Sequence, residues 1–207
     1  MMELAEIERA YTHSQRRGSI EVICGSMFSG KTEELMRRLR RASIAQLKVE
    51  VYKPAIDTRY DEKNIVSHDA RSFDSNAVDN AQLILLLASD ADVVGIDEAQ
   101  FFDESIVYVA KQLADDGKRV VIAGLDLDYK RNPFGFMPSL MAVADYVSKV
   151  HAVCVDCGAP ANYSYRLSNH NDQILLGELD CYRPLCRSCY LQREANLPKE
   201  EINKEEN

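Results

Sequence analysis

The sequence has no run approaching 18 consecutive apolar residues, so no segment reads as a membrane span. It also has no positively charged start leading into an apolar stretch. Glu3, Glu6 and Glu8 lie where an export signal would need positive charge. Basic residues are outnumbered, with 25 Lys and Arg against 33 Asp and Glu, for a formal net charge of −8. Such a balance lacks the electrostatic footprint of a non-specific nucleic-acid binder. With 9 glycines and 6 cysteines in 207 residues, the chain is neither a collagen nor a disulfide-stapled miniprotein. No internal repeat is visible, which excludes solenoids and arrays. A cytoplasmic location is expected, and in that reducing compartment paired cysteines point to metal rather than disulfides.

What is present is globular: 46% hydrophobic and 28% charged residues, in a length that suits one domain with a small appendage. Apolar runs at 20–24, 49–52, 92–96 and 120–123 predict strands, the second stopped by Pro54. Helical spacing predicts helices over 32–42, over 81–88 with Asp79 or Asn80 as cap, and over 106–113, stopped by Gly117. This βαβα alternation of near-continuous apolar strands predicts an α/β fold with a mostly parallel sheet and helices on both faces. Arg37, Arg38, Arg40 and Arg41 are expected on the solvated face of the first helix. After about His151 the chain turns to cysteine pairs, tyrosines and short strand-like runs. The expected organisation is a fraying start (1–18), a nucleotide-binding domain (19–150), a zinc-binding module (151–194) and a loose acidic tail (195–207).

Gly25, Ser26, Met27, Phe28, Ser29, Gly30, Lys31 and Thr32 match G-x-x-x-x-G-K-[ST] in full, between a strand and a helix. The glycines let backbone N–H groups converge on phosphate oxygens, and the helix N-terminus adds its dipole. Lys31 supplies a charge for the outer phosphates and Thr32 a hydroxyl for Mg²⁺. Such a loop needs an acid on a neighbouring strand, and Asp97-Glu98-Ala99-Gln100 supplies two at the end of 92–96. Asp97 can serve the metal while Glu98 takes a proton from the attacking nucleophile. If that nucleophile is water the protein is an ATPase; if it is a substrate hydroxyl, a kinase. Asp57 and Arg59 are further candidates for metal and phosphate contact, or else form a surface turn.

Cys154-Val155-Asp156-Cys157 and Cys186-Arg187-Ser188-Cys189 are two C-x-x-C knuckles. Together they offer four thiolates to one tetrahedral Zn²⁺, leaving no open position for catalysis. Cys24 is assigned to strand packing, and Cys181 has no assigned role.

These motifs together resemble the zinc-containing thymidine kinases of bacteria and animal cytosol, with a P-loop, RecA-like fold. The resemblance spans about 19–193 and is strongest at 27–32, 97–101, at Asn132-Pro133-Phe134-Gly135 and at 184–190. It implies transfer of the γ-phosphoryl of ATP to the 5′-hydroxyl of thymidine, with Glu98 as proton acceptor. Gly25 to Thr32, Arg59 and Asp97 to Gln100 would contact ATP and its phosphates, and Thr32, Asp97 and Asp57 would lie near Mg²⁺. Phe101, Tyr129, Met27 and Leu125 would surround thymine. Residues 161–182 resemble the family's lasso, a loop closing over the nucleoside. In it the backbone at Leu175, Leu176 and Gly177 would bind the base edge, Ser164 would meet the base and Tyr182 the sugar. The resemblance also implies a homotetramer inhibited by dTTP. It departs from the commonest pattern at Ser26, where proline is frequent, at Tyr129, a frequent phenylalanine, and at Glu178, a second glycine in some members. The rival reading is a RecA-like ATPase whose zinc module grips nucleic acid; neither nucleic acid nor membrane is expected as a partner of the kinase.

Overall fold

The computed structural model describes residues 18–55, 73–167 and 181–196. Its centre is a six-stranded sheet in the order β3-β2-β4-β5-β1-β6. The strands are β1 (Ser19–Gly25), β2 (Val49–Pro54), β3 (Ser75–Val78), β4 (Val93–Ile96), β5 (Arg119–Leu125) and β6 (Tyr146–Lys149). Every neighbouring pair is parallel. The four apolar runs thus become β1, β2, β4 and β5, and β2 runs on to Pro54 rather than stopping short of it. The edge strands β3 and β6 complete the sheet.

Alternate residues of each strand face opposite layers. Ile20, Val22 and Cys24 of β1 join Val94, Ile96, Val120 and Ile122 in one apolar cluster. That layer is covered by α2 (Gln82–Leu87), α3 (Ser105–Asp115) and α4 (Met137–Val143). On the other face Ile23, Val51, Val93, Val121 and Ala123 pack on Leu35, Met36, Leu39 and Ala42 of α1 (Lys31–Ile44). Asn80 does help to start α2: its Oδ1 accepts from Leu83 N at 3.1 Å.

The expected solvated arginine face is corrected at one position. Arg38 is 3% exposed, because at the 3–4 residue spacing of Leu35, Leu39 and Ala42 it points into the sheet. There it meets Glu21 of β1, which is fully buried: Arg38 donates to Glu21 Oε2 at 2.9 Å. Arg119, at the start of β5, donates to Glu21 Oε1 at 2.6 Å. Arg38 also donates to Glu34 at 2.8 Å and to Ser148 of β6 at 2.8 Å. The buried carboxylate of Glu21 thus ties α1 to β1 and β5, and Arg38 extends the network to β6. Arg37, paired with Glu34 at 2.7 Å, stays at the surface. Its guanidinium, with that of Arg38, holds the Glu34 carboxyl below its ordinary range against the opposing pull of burial.

Beyond the sheet lie two ribbons. β7 (Ala152–Val153) pairs with β8 (Pro160–Ala161), and β9 (Tyr163–Arg166) pairs antiparallel with β10 (Tyr182–Leu185). The helix α5 (Arg187–Ala195) follows. No helix among the described residues is long and apolar enough to cross a membrane.

Candidate active site

β1 delivers the chain into 25–32 at the carboxyl edge of the sheet, and α1 leaves from it. Gly30 caps α1 in the left-handed region (φ 80°), and no side chain caps the helix start. The first amides of α1 are thereby left for an anion. Lys31 Nζ donates to Ser26 O at 2.8 Å, which holds the ammonium over the loop. Ser29 donates to the same carbonyl at 2.7 Å. Phe28, in the left-handed region (φ 63°), is 41% exposed at the loop's tip.

β4 ends beside this loop. Thr32 Oγ1 donates to Asp97 Oδ2 at 3.1 Å, and Glu98 N donates to Asp97 Oδ1 at 2.9 Å. Asp97 is 6% exposed. Burial, with the adjacent Glu98 charge, pushes its carboxyl up to about 7, against the lowering pull of its hydrogen bonds. A carboxylate and a hydroxyl converging in a buried setting form an oxygen donor set suited to a hard divalent cation, and a cation there would relieve that strain on the charge. Glu98 takes the left-handed backbone (φ 51°, ψ 40°) and turns the strand into a short 3₁₀ turn, Ala99–Phe101. Ala99 is buried in the core beneath this turn. Gln100 is buried too, with its amide between Glu98 and β5.

The residues expected around a nucleoside have these contacts. Phe101 meets Phe134 edge-on at 5.8 Å, and Leu125 closes β5 beside the turn. Met27 N donates to Ser164 Oγ at 3.0 Å, and Ser26 Oγ donates to Ala161 O at 3.3 Å. The hydroxyl of Ser26 thus makes a contact that proline could not. Tyr182 is buried, and its hydroxyl accepts from Arg166 at 3.2 Å. The Arg166 guanidinium lies 3.7 Å from the centre of the Tyr129 ring. No motif marks Arg166, although period-two alternation puts it on the same face of β9 as Ser164. Nor does one mark Asp126, buried just beyond β5 and paired with Lys149 at 2.7 Å. Asp57, Arg59, Leu175, Leu176, Gly177 and Glu178 lie outside the described residues.

The four knuckle cysteines do converge. Their sulfurs lie within 4.8 Å of one another, with Cys157 and Cys186 at 3.6 Å. Metal–thiolate bonds of about 2.3 Å in a tetrahedron set sulfurs roughly 3.8 Å apart, so the cluster could hold an ion with little movement. Burial pushes the Cys154 thiol up, but backbone N–H groups of Cys186, Asp156 and Cys157 outweigh it and bring it down to about 6. The Cys189 thiol is raised, first by its hydrogen bonds to Cys157 and Cys186. Cys154 and Cys189 pack with Tyr163, Leu185 and Tyr190. From α5, Tyr190 donates to Tyr129 O at 2.9 Å and Glu194 pairs with Arg131 at 3.1 Å. The metal-capable cluster is therefore connected to the loop that carries Tyr129.

Residues 18–190 match the family model described as thymidine kinase. A thymidine kinase of Porphyromonas gingivalis is 63% identical over 198 residues, covering 96% of this chain and 97% of that one. A thymidine kinase of Bacteroides thetaiotaomicron is 60% identical over 179 residues, covering 86% and 90%. One of Bdellovibrio bacteriovorus is 50% identical over 192 residues, covering 92% and 93%.

Proposed function

The chain belongs to the thymidine kinase family, and we propose that it is an ATP:thymidine 5′-phosphotransferase yielding dTMP for DNA synthesis by pyrimidine salvage. The observation that carries this is the meeting of Lys31, Thr32, Asp97 and Glu98 at one edge of the sheet. Family membership favours the kinase over the ATPase. In the reaction the 5′-oxygen of thymidine bonds to the γ-phosphorus, the bond from that phosphorus to the β–γ bridging oxygen breaks, and ADP leaves. Glu98 accepts the hydroxyl proton. The loop amides of 25–32, the N-terminus of α1 and Lys31 bear the phosphate charge, joined by Arg59. Such transfers proceed through a loose transition state, so positioning and electrostatics supply most of the acceleration. Thr32 and Asp97, with Asp57, would hold Mg²⁺, which when bound neutralises charge on the outer phosphates. Met27, Phe101, Leu125 and Tyr129 form the base pocket, closed by the lasso with Ser164, 175–177 and Tyr182. The domain division at about 150, a cytoplasmic location and a homotetrameric state belong to the same reading; sedimentation tests the last.

The deciding experiment is a nucleoside panel with ATP and Mg²⁺: thymidine, deoxyuridine, deoxycytidine and uridine. Thymidine should be phosphorylated best. ATP turnover stimulated by DNA and indifferent to thymidine would overturn the assignment.

One zinc per chain is expected on Cys154, Cys157, Cys186 and Cys189. Cys154→Ser should raise the KM for thymidine before it lowers the melting point of the sheet domain. The reason lies in the bonds Tyr190–Tyr129 and Ser164–Met27, which link the module to the pocket. Metal analysis of freshly reduced protein without zinc would refute the ligand set.

Inhibition by dTTP is expected to compete with both substrates. With thymine in the base pocket, its triphosphate would point back to 25–32 and occupy the space ATP needs. Base and phosphate contacts in one molecule should bind more tightly than thymidine alone. Initial rates decide it: inhibition independent of thymidine concentration would place dTTP at a separate site.

A further inference from the structure

Gln100, expected among the phosphate contacts, is 3% exposed, and its side-chain amide spans two elements. Nε2 donates to Glu98 Oε2 at 2.5 Å, and Oε1 accepts from Leu125 N at 2.9 Å. The second bond fixes the first. A backbone N–H needs an acceptor, so the carbonyl end of the amide faces Leu125 and the NH₂ end faces Glu98. Two glycines let neighbouring backbone approach Gln100 closely, one at its side-chain amide and one at its main-chain carbonyl. A Cβ on Gly124 would lie 2.9 Å from Gln100 Oε1, and one on Gly135 only 2.4 Å from Gln100 O. Gly135 also has φ 51°, which few side chains tolerate. Thus the loop 132–135, a stretch that carries the family resemblance, closes over the turn Ala99–Phe101.

We propose that Gln100 is a positioning residue for phosphoryl transfer: its amide holds the Glu98 carboxylate in the orientation that accepts the 5′-hydroxyl proton. It also ties that orientation to the backbone of Leu125, beside the base pocket. This rests on the reading of Glu98 as proton acceptor.

The test uses full-length enzyme with ATP–Mg²⁺ and thymidine. Gln100→Glu keeps the length and the acceptor toward Leu125 but replaces the NH₂ donor by an oxygen. Small misplacement of a reacting group costs up to about 10²-fold, so kcat should fall about 10- to 100-fold. Both KM values should stay within about threefold, since the lost contact is to the group that takes the proton and not to either bound substrate. In a Glu98→Gln background the same change should cost under about twofold, because no base remains to be positioned. Gln100→Met, which lacks both bonds, should give the same pattern and replaces Gln100→Glu if that variant is insoluble. A slow Glu98→Gln beside an unchanged kcat for Gln100→Glu would overturn this proposal alone, as would losses that multiply in the double variant. Full activity of Glu98→Gln by itself would overturn the base assignment and this proposal with it.

Discussion

Replacing Glu98 by glutamine is expected to slow thymidine phosphorylation by about 10²- to 10⁴-fold while ATP affinity stays nearly unchanged. The substitution keeps the side chain's shape and leaves an amide oxygen where Gln100 donates. What goes is the proposed proton acceptor. Lys31, the loop amides and the N-terminus of α1, proposed to hold the phosphates, are untouched, so nucleotide binding should survive. Nucleotide titration beside single-turnover rates separates the two effects. Loss of ATP binding in step with rate would mean that Glu98 acts on the nucleotide, and full activity would move the base elsewhere.

Replacing Glu21 by glutamine is expected to destabilise the fold by about 3–5 kcal/mol, the usual consequence of breaking a buried ion pair from one side. Glu21 is fully buried, and the guanidiniums of Arg38 and Arg119 that share it are 3% and 6% exposed. Without its charge, two cations stay in a low-dielectric interior with weaker compensation. For a chain of this size, 1 kcal/mol corresponds to about 2–4 °C, so the melting point should fall on the order of 10 °C. Urea unfolding of the two proteins gives the measurement; an unchanged midpoint at unchanged slope would show that the carboxylate contributes nothing. Because α1 carries Lys31 and Thr32 at its start, the same variant should hold its phosphate loop less firmly.

The parts of this molecule legible in its sequence are those encoded by short-range patterns. β1, β2, β4 and β5 are apolar runs because they are covered on both faces, and the phosphate loop is a contiguous motif. The edge strands β3 (SNAV) and β6 (YVSK) alternate or stay polar over four residues, too little for periodicity to register. Arg38 is ambiguous in the sequence although its helical position is readable. Its charge suggests solvent, while the spacing Leu35, Arg38, Leu39, Ala42 points inward. Glu21, an acid inside a strand buried on both faces, was the matching clue, since such a group requires a cation. The bonds from Met27 to Ser164 and from Tyr190 to Tyr129 join residues 137 and 61 positions apart, and no local pattern encodes them. The knuckles succeeded where these failed because cysteine pairs state their geometry in their spacing.

The place of β1 between β5 and β6 has a consequence for the nascent chain. Its partners come late: Arg119 lies 98 residues after Glu21, and Asp145, whose carboxylate accepts from Ile20 N, lies 125 residues after it. At about 5–20 residues per second, a ribosome leaves the first strand waiting roughly 5–25 s for the neighbours that flank it. Until then β1, buried along its whole length in the folded protein, lacks both neighbouring strands. Nucleotide-binding competence should therefore emerge abruptly once β6 has been made. Ribosome-bound chains stalled before β6 leaves the exit tunnel should not retain ATP, whereas chains extended through α5 should.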